Sequence, residues 1–152
     1  MKQLLTLKDC VECGDCCYYY KGYLALAPRF SREEAKKISK ENLIDKKTHF
    51  VAGCQRRKNS NYFFCDFKEG EMCLLKEKRP FGCKLYPFNV MKDRKGKIVL
   101  GIDWNCKGVK SRTKEQIDEY AKKIIPFVRR KIRQNPFLVE EFQGGLKILF
   151  VL

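Results

Sequence analysis

Among its 152 residues the chain has one histidine, one tryptophan, five prolines, and only 18 acidic residues against 33 lysines and arginines. The lone His49 limits mixed histidine–cysteine zinc sites to a single nitrogen ligand, and it lies in an unpatterned stretch that makes it a poor partner for a catalytic thiol. Long apolar runs are missing too. The ending LKILFVL is far short of the ~20 residues a membrane helix needs, so no membrane association is expected. The start MKQLLTLKDC offers Leu4, Leu5 and Leu7 before the charges begin, too little for a signal-peptide core, which predicts a cytoplasmic protein. The shortage of acid leaves a formal charge of +15, enough to draw polyanions through the long-range field. An acidic protein is the expected partner, with nucleic acid as the alternative.

The 44% of apolar residues and the absence of repeats or biased segments predict a folded chain, read as a single domain over 1–152. YYYKGYLALAPRF reads as an extended stretch stopped by Pro28. Its three adjacent tyrosines are expected to divide between core and surface, with a stacking surface for bases as the alternative. SREEAKKISKENL opens a short helix, with Ser31 as N-cap and Glu34 completing a capping box. Residues 45–62 read as loop. FNVMKDRKGKIVLGIDW predicts a β-hairpin turning at DRKG.

From Thr113 the spacing becomes helical. Ile117, Ala121, Ile124, Val128 and Ile132 share one stripe, and Lys122, Lys123, Arg129, Arg130 and Arg133 share the opposite face. Pro126 is expected to kink or split this helix. NPFLVEEF predicts a second helix capped by Asn135 and ended by Gly144 and Gly145. The apolar tail is then expected on the core or at a sheet edge. The fold class is therefore α+β, with an irregular, metal-organised first half, a hairpin, and a helical C-terminal region over 113–143 packed on the region 10–108.

What the sequence does have is nine cysteines, four of them in CVECGDCC. Cys16 and Cys17 are unsuited to pairing with each other, because adjacent Cα atoms are about 3.8 Å apart and a relaxed disulfide wants about 5.5–6 Å. In a reducing compartment, clustered thiols serve as metal ligands or catalytic groups. Cys10, Cys13 and Cys16 at C-x2-C-x2-C can wrap one inorganic centre in the manner of a ferredoxin loop, but Cys17 and Tyr18 replace its x3-C-P continuation. A second group, Cys65, Cys73 and Cys83, is spaced C-x7-C-x9-C, and Cys106 follows in WNCKG.

In this arrangement the chain resembles the YkgJ-type CxxCxxCC cysteine-cluster family, a zinc- or iron-chelating domain. The opening cluster matches Cys10, Cys13, Cys16 and Cys17. The family's C…C-x-[IL]-x3-R-P-x2-C-[RK]-x-[FY]-P matches Cys65, Cys73, Leu75, Arg79, Pro80, Cys83, Lys84, Tyr86 and Pro87, and its late C-x-G matches Cys106 and Gly108. Lys84 stands where arginine is usual and Lys107 where proline is common. A more distant resemblance is to the cysteine-rich part of flagellin lysine N-methylases.

The resemblance implies a metal centre held by Cys10, Cys13, Cys16, Cys17, Cys65, Cys73, Cys83 and Cys106. An iron–sulfur centre of the [4Fe-4S] type is the first expectation and zinc the alternative. A four-thiolate centre carries about −2 net charge, which Arg79 and Lys84 are placed to offset, with Tyr86 beside them in the motif. The functions that follow are a metal-dependent transferase acting as in protein lysine methylation, an oxidoreductase or an accessory to either; the alternative is a zinc-stapled binding module. Cys54 matches nothing in the motif and is expected to pack as a small hydrophobe. Between residues 107 and 135 there are 10 basic and 3 acidic side chains, so the helix face of Lys122, Lys123, Arg129, Arg130 and Arg133 is the expected docking surface.

Overall fold

The computed structural model describes residues 4, 5, 8, 9, 15–70, 72–141 and 145–152, and for Asp15, Tyr23 and Ala25 the backbone alone. Cys10 and Cys13 lie outside the described residues. The chain is α+β and divides into two compact units. One spans Leu7–Lys84, and the other joins the first residues of the chain to Leu85–Leu152. The division falls inside the region 10–108, between Cys83 and Tyr86.

The first unit is built from short strands. A single 3-10 turn, Asp15–Cys17, leads into β1 (Tyr18–Tyr20). Instead of staying extended, the chain then coils through a 3-10 segment at Lys21–Leu26 before Pro28. Next come β2 (Arg29–Phe30) and α1 (Arg32–Ala35), which begins with the expected capping box of Ser31 and Glu34. Residues 45–62, read from sequence as loop, contain ordered strands. After β3 (Leu43–Asp45) come β4 (Phe50–Ala52) and β5 (Cys54–Arg56). RRKNSN only turns the chain into β6 (Tyr62–Cys65). These strands are too short for period-2 patterning to stand out, and tertiary pairing decides them.

Two antiparallel sheets result, ordered β2-β4-β3 and β1-β6-β5. A small hairpin of β7 (Lys68–Glu69) and β8 (Met72–Cys73) follows, and then α2 (Phe81–Leu85). The unit's core is Tyr19, Phe30, Ala35, Phe50, Ala52, Cys65, Phe67 and Leu75.

The second unit carries the predicted hairpin, β9 (Phe88–Lys92) and β10 (Ile98–Asp103). Asp93 forms the turn: its Oδ1 accepts from the Lys95 and Lys97 amides, both at 2.8 Å. Gly96 supplies the positive φ of 77° that a side chain resists. After the one-turn α3 (Lys107–Lys110) comes α4 (Lys114–Gln134), opened by a Thr113/Gln116 capping box. β11 (Leu146–Val151) takes the free edge of β10, giving the order β11-β10-β9; the apolar tail is thus a sheet-edge strand.

Pro126 neither ends nor splits α4, which runs through it without interruption. Ile117, Ala121, Ile124 and Val128 are all buried on one stripe, and Tyr120 stacks on Phe88 at 5.6 Å, so both halves are held to the same surface. Pro126 and Lys122 are exposed, so water can satisfy the carbonyl that the proline deprives of its donor. The second expected helix is only a 3-10 turn, Pro136–Leu138. Beyond it the backbone is claimed by β9: the Glu140 amide donates to the Val90 carbonyl, and the Lys92 amide donates to the Glu140 carbonyl. Asn135 accordingly closes α4 rather than opening a new helix.

Candidate metal centre

Four segments of the first unit deliver thiols. The turn before β1 carries Cys16 and Cys17, β6 ends on Cys65, β8 ends on Cys73, and α2 carries Cys83. These thiols lie within one another's electrostatic reach: the charges of Cys17 and Cys73 act on both Cys65 and Cys83. Arg79, 6% exposed, is a buried cation among them. Its Nε donates to the Lys76 carbonyl at 2.9 Å, and its charge acts on Cys17 and Cys83.

The thiols are not equivalent. A hydrogen bond from Cys16 lowers Cys17 to about 7, helped by Lys68 and Arg79, although burial pushes the other way. Burial pushes Cys65 up to about 12, and the neighbouring thiols add to the shift. Burial also drives Cys83 well above the ordinary thiol range, with Cys65, Cys17 and Cys73 adding to it and Arg79 opposing it. A thiol near 7 is about half thiolate at neutral pH, a form that binds metal or attacks an electrophile. The others need a cation to take the place of their protons.

Two side chains beside this group were not picked out from sequence. Tyr19, facing inward from β1, donates its hydroxyl to the Cys16 carbonyl at 3.1 Å. Burial and then the charges of Cys83, Cys65, Cys17 and Cys16 raise its phenol well above the usual range. Cys54 pairs directly with Cys65 across β5 and β6. The flanking pairs Gly53–Asp66 and Gln55–Phe64 take the hydrogen-bonded positions, as the Asp66 amide to Gly53 carbonyl bond fixes. Cys54 and Cys65 therefore occupy a non-hydrogen-bonded pair, where side chains approach most closely. Burial, Asp66 and Cys17 push Cys54 to about 11. Only register could have revealed it, since residues 45–62 carry no strand pattern.

Glu34 positions α2. One carboxylate oxygen accepts from the Ser31 amide at 2.8 Å and the other from the Phe81 amide at 3.0 Å. The cap of α1 is thereby tied to the first residue of the helix that carries Cys83. The remaining predicted residues lie elsewhere. Cys106 belongs to the second unit, buried at the N-cap of α3. Tyr86, also in that unit, donates its hydroxyl to Asp103 at 3.2 Å, and Lys84 is half-buried next to Cys83. His49 shares a 2.9 Å hydrogen bond with Thr48.

Among the described residues, no three His, Cys, Asp or Glu side chains already stand in an arrangement that would hold a metal ion. The five thiols still suit a thiophilic centre, with a buried arginine and a phenol beside them. Comparison of the chain with protein-family models, with curated proteins and with solved structures finds no match in any of the three.

Proposed function

We propose that this chain is a cytoplasmic cysteine-cluster metal protein of the YkgJ type. Its candidate ligands are Cys10, Cys13, Cys16, Cys17, Cys65, Cys73 and Cys83 of the first unit, four of which would hold a [4Fe-4S] cluster as its cofactor. One observation carries the reading: four segments spread from Cys16 to Cys83 deliver five thiols around the buried cation Arg79. A buried guanidinium beside these thiols offsets the charge of about −2 that such a cluster carries. When bound, such a cluster supplies one-electron chemistry or an open iron for a substrate. The chain's own part is to supply thiolates, to offset their charge with Arg79 and Lys68, and to exclude water with Tyr19 and Phe67. The function is a modification or redox reaction, protein methyl transfer among them, performed or assisted by this protein. An acidic protein partner docks on the exposed Lys122, Lys123, Arg129, Arg130 and Arg133 of α4.

The test is purification without oxygen, followed by iron, acid-labile sulfide and zinc analysis. A brown protein with broad visible absorbance and matched iron and sulfide is the expected result. A colourless protein with stoichiometric zinc and no sulfide replaces the cluster with a zinc-stapled module. A protein that binds neither overturns the metal reading.

A further inference from the structure

The reverse face of the sheet that carries Cys54 and Cys65 is aromatic. Residues directly opposite each other in a sheet share a face, so the pairs Tyr18–Phe64 and Tyr20–Tyr62 form two adjacent rungs on one side of β1 and β6. Tyr19 and Phe63 turn to the other side. Tyr18, Tyr20 and Tyr62 are 39%, 47% and 51% exposed, which puts three of the chain's seven tyrosines on one solvent-facing patch. The Tyr20 and Tyr62 rings meet edge-on at 5.7 Å. The rungs are about 7 Å apart, two strand residues.

Basic side chains border this patch, with the Asp66 side chain hydrogen-bonded to Gln55 at its Phe64 end. The turn after β5 exposes Arg57 and Lys58 with no acidic residue between 55 and 61, and Lys21 is exposed just after β1. Gln55 and Arg57 lie in register with Phe64 and Tyr62, on the same face. Lys68 holds its ammonium 5.1 Å above the Tyr18 ring. An acidic protein would need only the cations. Bases and phosphates together use both halves of the patch, the rings for stacking and the cations for the backbone.

We propose that this face of β1 and β6 binds single-stranded nucleic acid, stacking two bases on the Tyr20–Tyr62 and Tyr18–Phe64 rungs while Lys21, Arg57, Lys58 and Lys68 neutralise phosphates. Lys68, whose charge also acts on Cys17, is shared with the thiol group; Tyr20, Tyr62, Lys21, Arg57 and Lys58 are not.

Fluorescence anisotropy with labelled 12-mers of oligouridylate and oligothymidylate, a duplex of equal length and polyglutamate as competitor tests this on the protein as purified. Single strands bind more tightly than the duplex, and polyglutamate competes poorly. Tyr20→Ala and Tyr62→Ala each weaken single-strand binding by roughly 5- to 100-fold, while Tyr20→Phe and Tyr62→Phe retain it. The double change Arg57→Ala, Lys58→Ala lowers the slope of log affinity against log salt by about 1.4. Photocrosslinking of a 4-thiouridine oligomer to the unsubstituted protein keeps the test independent of variant folding, with adducts expected in 18–20 and 62–64. Equal affinity for duplex and single strand, alanine variants that bind like the parent, polyglutamate competing as strongly as the oligomer, or adducts confined to α4 would each overturn the proposal.

Discussion

Glu34→Ala probes how the fold holds the helix that bears Cys83. The carboxylate accepts from the Ser31 amide at 2.8 Å and the Phe81 amide at 3.0 Å, while the Glu34 amide returns a 3.2 Å bond to the Ser31 hydroxyl. Removing the side chain erases one half of a capping box together with the hydrogen bond that ties α1 to the start of α2. A hydrogen bond to a charged group contributes about 1.5–3 kcal/mol, and half-exposure places each of these at or below the lower end. The expected loss is therefore about 2–3 kcal/mol, which at this chain length lowers the thermal midpoint by roughly 4–12 °C. Glu34→Gln, which keeps one acceptor oxygen, loses about half as much. Thermal melts by circular dichroism on samples of matched metal content read the difference. A Glu34→Ala protein that melts at the same temperature as the parent would show that the link between the two helix starts carries no energy, and the argument would fail.

The cysteines separate by position. Cys17→Ser, Cys65→Ser and Cys83→Ser each lose bound metal and broaden the unfolding transition, whereas Cys54→Ser keeps its metal; metal analysis alongside melts reads both, and equal loss in all four variants makes Cys54 a ligand. Reversing Lys122, Arg129 and Arg130 to Glu changes the charge by −6, so salt-sensitive, nuclease-resistant capture of an acidic partner is abolished while metal content is unchanged. Unaltered capture leaves the strip a solvated face.

Legibility followed the length of each element. The α4 stripe, its Thr113 start and the β9–β10 hairpin could all be read, because each is long enough to repeat its period or is marked by a turn with its own chemistry. The first unit was mostly not legible: β4 and β5 have three residues each, and such segments are strands only because partners pair with them. The same cause hid Cys54, whose place opposite Cys65 is a matter of register, and Tyr62, which joins Tyr18 and Tyr20 only across strands. Pro126 misled in the opposite sense, since the cost of a proline depends on whether the freed carbonyl can reach water. Arg79 was legible from its place beside Pro80 in the motif, and the structure buries it among the thiols.

The two units are held in order by different means. The second has a six-residue central strand with a neighbour on each side and a 21-residue helix whose buried stripe covers four positions. Its apolar contacts therefore repeat along continuous elements, and each ordered residue adds to a surface already formed. Among the described residues of the first unit no strand exceeds four residues, so its ordered residues lie in short segments joined by turns. Ordering a residue costs about 1–2 kcal/mol of backbone entropy wherever it lies, and the described core of this unit has eight buried positions. Cross-links between remote segments supply what such a unit lacks, because they reduce the freedom of the unfolded chain without needing apolar area. The thiols of Cys17, Cys65, Cys73 and Cys83 stand at the turn before β1, the end of β6, the end of β8 and within α2. A centre bound by them would join these four segments at one point. Loss of a single ligand of such a centre would cost fold as well as metal, and Cys54, which β5 already holds by pairing with β6, is the thiol whose removal the unit is expected to tolerate.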